Sequence, residues 1–113
     1  MKFTEKKIDD FLIVIVNEEM IGEIESHELY GRIKKLPERG YIKCVFDFSG
    51  VKWITGSGLG MLFAIKNTII ENKGKIKLVG ITNNIQSLLT ITQLMHFFEI
   101  FENIELAISS FNE

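Results

Sequence analysis

Apolar positions along this chain fall into short blocks separated by polar turns, and the blocks alternate between two periods. The longest unbroken block, Phe11-Leu12-Ile13-Val14-Ile15-Val16, is short and rich in β-branched residues, which predicts a strand buried on both faces. Residues 2–8 predict a short strand before it, with Asp9-Asp10 as the turn. After Asn17 and two glutamates, Leu29, Ile33 and Leu36 recur at helical spacing, with Ser26 as the predicted N-cap. Pro37 and Gly40 close that helix, because proline disfavours helical geometry in the residue before it. Residues 42–48, IKCVFDF, predict the next strand, and Ser49 to Trp53 a loop.

The longest helix is expected from about Ser57 to Asn72. Leu59, Leu62, Phe63, Ile65, Ile69 and Ile70 form its apolar side, and Lys66, Asn67 and Glu71 face water. Asn72-Lys73-Gly74 supplies a C-terminal stop. A short strand follows from Lys75 to Gly80. Asn83 or Asn84 then caps a helix carrying Ile85, Leu88, Leu89 and Thr92 on one side. Phe97, Phe98, Ile100 and Phe101 make a last extended stretch, expected in the core, and Asn103 caps a terminal helix through Ile104, Leu106, Ala107 and Ile108. The order β β α β α β α, with a late strand or turn and a final helix, predicts an α/β fold: a mixed sheet of four to five strands flanked by about four helices.

Composition adds limits. With 113 residues, 46% of them apolar and a single proline, the chain suits one compact core, so residues 1–113 are expected to form one domain. The formal charge is −2. Lys34, Lys35 and Arg39 lie close together but among acidic residues, which suggests a solvated helix end, and nucleic acid is not expected as a partner. Cys44 is the only cysteine, so neither an intrachain disulfide nor a thiolate metal site can form within one chain, and its apolar neighbours predict burial in a strand. The N-terminus lacks the apolar stretch of a signal peptide, and no run approaches the roughly 18 apolar residues of a membrane span. A soluble, cytoplasmic protein without membrane insertion is the expectation.

Only Thr55-Gly56-Ser57-Gly58 looks chemically specialised. It precedes the longest helix, where backbone N–H groups lack partners and carry partial positive charge. One reading is an anion-handling or phosphorylatable turn, with glycines allowing close approach. The other is a plain cap by Thr55 or Ser57, with glycines for tight packing. The sequence leaves both open. Enzyme motifs fail when tested: the glycines at 56, 58 and 60 do not match G-x-G-x-x-G, and no Gly-Lys-Ser/Thr ends a Walker loop. A nucleophile elbow needs glycines two residues either side of Ser57, where Thr55 and Leu59 stand. His27 and His96 have no ligand-like neighbours, so no metal or cofactor is expected, and no catalytic residue. Asp47 is expected to stabilise the loop after its strand. Trp53, beside the special turn, is either packed under the loop or exposed as an interface anchor.

These segments together resemble the STAS family. Val45-Phe46-Asp47-Phe48-Ser49-Gly50-Val51 followed by Ile54-Thr55-Gly56-Ser57-Gly58-Leu59-Gly60 is similar to the family's apolar strand ending in D-L-S, short loop and D-S-S/T/A-G-L-G turn. Gly74 to Gly80, Ile85 to Phe101 and Ser26-His27-Glu28-Leu29 are similar to its later strand, its later helix and the start of its first helix. The resemblance covers nearly the whole chain and implies a non-enzymatic anti-sigma factor antagonist type of module in transcription regulation. In that type, a partner kinase that doubles as anti-sigma factor phosphorylates a serine of the turn, and the unphosphorylated form binds the partner. Alignment on Gly58-Leu59-Gly60 places Thr55 at the family's aspartate and Gly56 at its phosphoserine, with Ser57 one residue on. In the early loop, Gly22 stands where G-E-L-D has its aspartate.

The resemblance therefore implies a module that docks an anti-sigma factor kinase, or another component of a STAS complex, through the turn and helix at 55–63. Trp53, Thr55, Gly56, Ser57, Gly58 and Leu59 are the partner-binding candidates, and Ser57 and Thr55 the candidate phosphorylation sites. The alternatives are an accessory subunit of a stressosome or lipid-transport complex that works without phosphorylation, a phosphoswitch shifted to Ser57, and a phosphate or nucleotide site at the helix start.

Overall fold

The computed structural model describes residues 3–35, 38 and 43–111. Strand β1 (Phe3–Ile8) pairs antiparallel with β2 (Phe11–Val16) across a turn in which Asp9 takes a left-handed φ of 54°. As its FLIVIV sequence predicts, β2 is buried on both faces, with only Ile15 partly accessible. It is followed by the two-residue strand β3 (Met20–Ile21) and helix α1 (Glu23–Ile33), then β4 (Lys43–Asp47) and the two-residue β5 (Trp53–Ile54). Helix α2 (Gly56–Glu71), β6 (Lys75–Val79), α3 (Asn83–Ile91), a 3-10 turn at Met95–Phe97, β7 (Glu99–Phe101) and α4 (Ile104–Ser110) complete the order.

The main sheet has the order β1-β2-β4-β6-β7; β1 is antiparallel, and β2, β4, β6 and β7 are parallel neighbours. This is the mixed five-stranded sheet expected, with four α-helices among the described residues. Alternate strand residues feed two cores. Leu12, Val14, Cys44, Phe46 and Leu78 meet α1, α2 and α3 through Leu29, Leu62, Ile65 and Leu89. Phe11, Ile13, Val45 and Val79 meet α4 through Ala107 on the other face. Lys77 lies on that second face, almost fully buried. Its ammonium donates to Ser110 Oγ, stands 3.5 Å from Glu99 and faces the Phe111 ring at 4.3 Å, so the charge is partnered where it is desolvated.

The structure moves several expected boundaries. Helix α1 begins three residues before the predicted cap: Gly22 is the N-cap, and its N–H donates to Glu25 Oε1 at 2.9 Å. Ser26 is instead buried in the first turn, with its hydroxyl donating back to Gly22 O. Thr82, not Asn83 or Asn84, caps α3, and its hydroxyl donates to Val51 O across the loop. At the end of α2 the left-handed position falls on Lys73 (φ 63°), while the Gly74 N–H reaches Ile69 O at 2.8 Å. Phe97 is 49% exposed on the 3-10 turn, whereas Phe98 is in the core as expected. In the terminal helix Leu106 is exposed and Ala107 buried, and Asn103 caps it through the Leu106 N–H as predicted. Leu36, Pro37, Arg39, Gly40 and Ile42, expected to end α1 and begin β4, lie outside the described residues.

Cys44 is fully enclosed between β2 and β6, and burial pushes its thiol up from 9.0 to about 12. The native protein should therefore leave a thiol reagent unreacted at about pH 8 and label promptly once unfolded in denaturant. Prompt labelling of native protein would contradict this packing. Because the unfolded thiol ionises near 9.0 and the folded one near 12, stability should fall as pH rises through that window.

Candidate functional site

The turn 55–58 stands on a small scaffold that no periodic signal in the sequence announced. Strands β3 and β5 pair in parallel, Met20 against Trp53 and Ile21 against Ile54, and form a separate two-stranded ribbon. Their carbonyl and amide groups hold the entry to α2. Ile21 O accepts the Thr55 N–H at 3.0 Å and the Thr55 hydroxyl at 3.2 Å. The same hydroxyl oxygen accepts the Gly58 N–H at 3.2 Å, which makes Thr55 the N-cap of α2. Thr55 is thus committed in both directions, donating to the ribbon and accepting from the helix.

Gly58 shows why the motif needs a glycine at this place. A Cβ here would stand 2.5 Å from Ile54 Cγ1 and 2.8 Å from Ile21 O, closer than any side chain allows. The glycine lets the first turn of α2 rest on β3 and β5. Gly56 and Gly60 have the opposite character, with nothing within 4 Å of a Cβ at either position. Leu59 is half-buried and packs against the main core. Among the candidate residues, Gly58 and Leu59 therefore fix the helix, while Trp53, Thr55, Gly56 and Ser57 reach the surface.

Ser57 is exposed in the first turn, and its hydroxyl has no hydrogen-bond partner among the described residues. It opens onto a groove of about 310 Å³ between α1 and α2, lined also by Glu23, His27, Tyr30, Met61 and Ala64. The amides of Gly56 and Ser57 have no carbonyl inside the helix to bond, as in any first turn, so the local field is positive. Beside the turn, Trp53 is 60% exposed, Met20 51% and Ile24, in the first turn of α1, 69%. A Cβ at Gly22 would lie 3.9 Å from Met20 Cε and 4.0 Å from Thr55 Cγ2. Pairing with β3 turns the Trp53 ring outward, which decides between the two sequence readings of that residue in favour of exposure.

The remaining candidates have simpler places. Asp47 Oδ1 accepts from both the N–H and the hydroxyl of Ser49, so it ties the loop after β4 as expected. Gly80 (φ 70°) lies against this pair, where a Cβ would run into Ser49. His27 is exposed on α1 and His96 on the 3-10 turn. No group of His, Cys, Asp and Glu among the described residues is arranged to hold a metal ion, and no helix among them is long and apolar enough to cross a membrane. Nothing periodic in the sequence singles out Met20 or Ile24, and of the early loop the family resemblance marks only Gly22.

Comparison with known proteins agrees with this architecture. The family model of the STAS domain matches residues 2–107. TM1081 of Thermotoga maritima, assigned as an anti-sigma factor antagonist, is 25% identical; the match covers 98% of this chain and 95% of that one, with a TM-score of 0.84. An anti-sigma factor antagonist from Mycobacterium paratuberculosis superposes with a TM-score of 0.85 at 18% identity, over 99% and 94% of the two chains. SpoIIAA of Bacillus, an anti-sigma factor antagonist in its unphosphorylated form, gives 0.75 at 12% identity over 98% of both. No protein of curated function matches the chain significantly in sequence.

The two glycines of the turn should respond in opposite ways. Gly58→Ala is expected to destabilise the protein by about 1–3 kcal/mol, because α2 must lift from the ribbon. Gly56→Ala should be neutral or stabilising by up to about 1 kcal/mol, since the helix gains propensity and meets no clash. Urea unfolding of both variants checks the pair, and equal midpoints would contradict the described contact.

Proposed function

We propose a docking role for this chain, which belongs to the STAS domain family: it is a non-enzymatic regulatory module that binds an anti-sigma factor kinase or a related partner protein. The face is the β3–β5 ribbon with the first turns of α1 and α2. The observation that carries the reading is the exposure of Trp53, Met20 and Ile24 together, next to the polar helix start at Gly56-Ser57. An exposed tryptophan paired with the exposed Met20 across the ribbon is costly in water and suits a central anchor in an interface. The neighbouring likeness to anti-sigma factor antagonists supports the kind of partner.

The second reading is a phosphoswitch at Ser57, and the hydrogen bonding favours this residue over Thr55. The Thr55 hydroxyl is engaged by Ile21 and Gly58, so a phosphate there would break the cap and release the ribbon. The Ser57 hydroxyl faces the groove without such ties. A phosphate on it adds about −1.5 to −2 charge at pH 7 beside the positive end of α2, which tolerates it, and adds bulk within the contact face, which a partner would then refuse.

Two outcomes are expected. Capture from an extract of the source cells with the tagged protein should yield a partner whose binding weakens by about 2–4 kcal/mol in Trp53→Ala and also falls in Ser57→Glu; a partner held equally by both variants would contradict the face. Incubation with the captured kinase and ATP should place phosphate on Ser57 in the wild type, detected by mass spectrometry, and leave Ser57→Ala unmodified. Phosphate on Thr55 instead would overturn the choice of acceptor.

A further inference from the structure

The docking face has an electrostatic character that narrows the partner. Residues 18–28 hold five glutamates and no lysine or arginine, in a chain whose total formal charge is only −2. The segment that runs through β3 and the first half of α1 thus carries a formal −5, and the rest of the molecule is net positive. Two of these glutamates border the apolar anchor directly. Glu19 precedes Met20 and is largely exposed, and Glu23 lines the groove that Ser57 opens onto. Lys52 pairs with Glu19 at 3.4 Å, and His27 also lies on the groove.

We propose that this face takes a partner protein whose contact surface is an apolar recess rimmed by lysine or arginine. Trp53, Met20 and Ile24 fill the recess, and Glu19 and Glu23 meet the basic rim. The proposal rests on the docking reading above and adds the partner's charge to it. Rim charges of this kind act chiefly on the rate of encounter, and their effect is screened by salt. A phosphate on Ser57 would then add further negative charge to a face already acidic. Its effect on a basic-rimmed partner is steric and local, through the turn itself, rather than a reversal of the overall attraction.

The test uses the protein captured by the tagged full chain from an extract of the source cells, identified and produced recombinantly, with association followed by surface-based kinetics. Wild type should lose on the order of tenfold in association rate as sodium chloride rises from about 50 to about 500 mM. The double variant Glu19→Gln/Glu23→Gln should associate several-fold more slowly at low salt and show a flatter salt dependence. Its urea midpoint, measured beside that of the wild type, separates this effect from any loss of folding. Trp53→Ala should speed dissociation while keeping the salt dependence of association. If Trp53→Ala abolishes binding but neither salt nor the glutamine substitutions change the association rate, the basic rim is wrong and the docking face stands. If binding ignores Trp53→Ala, or if no protein is captured, the docking reading falls and takes the basic rim with it.

Discussion

The candidate site hangs on one carbonyl. Ile21 O receives the Thr55 N–H and hydroxyl and lies where a side chain at residue 58 would have to pass. Those contacts bring the N-terminus of a 16-residue helix down onto a ribbon of only two residue pairs. A ribbon of that length has little stability of its own. It persists because the helix cap on Ile21 O, the buried Ile21 side chain and the backbone bonds from Lys52 and Trp53 N–H to Glu19 O all hold residues 19–21. The consequence for function is direct: Met20 and Trp53, paired across the ribbon, are held outward, and Ser57 is held at its rim.

Much of the fold was legible because its signals are local and periodic. The FLIVIV block, the apolar stripe of α2 and the Asn103 cap each state their structure within a few residues. The same holds for the mixed sheet, since alternating blocks of β and α period leave few ways to arrange them. Helix starts were less legible where the cap has no side chain. Gly22 offers no hydroxyl, and its N–H is satisfied from inside the helix by Glu25, so Ser26 looked the better start. Thr82 lost out to two asparagines for a similar reason, because its hydroxyl serves Val51 on a distant loop, a contact that local sequence does not show.

The site itself was half legible. Glycine spacing and the apolar strand before it pointed to residues 55–58, yet did not separate structural from accessible members. That division depends on contacts 34 residues away in the chain, between Thr55 and Ile21, and on which glycine has a neighbour where its Cβ would be. Met20 and Ile24 escaped notice because single apolar residues among glutamates carry no period. Met20 gains its meaning from pairing with Trp53 across the ribbon, and Ile24 from its exposure in the first turn of α1. Gly56 has room for a side chain, so nothing in the packing requires a glycine there.

The most direct test of a docking face is to map what a bound partner covers. Hydrogen–deuterium exchange, read by mass spectrometry on the protein alone and in complex with the partner it captures, reports this without altering any residue. The account predicts slowed exchange in peptides spanning 19–24 and 53–60, with α3 and β7 unchanged. Protection confined to α3, β7 or α4, with the ribbon and the start of α2 exchanging as in the free protein, would contradict it.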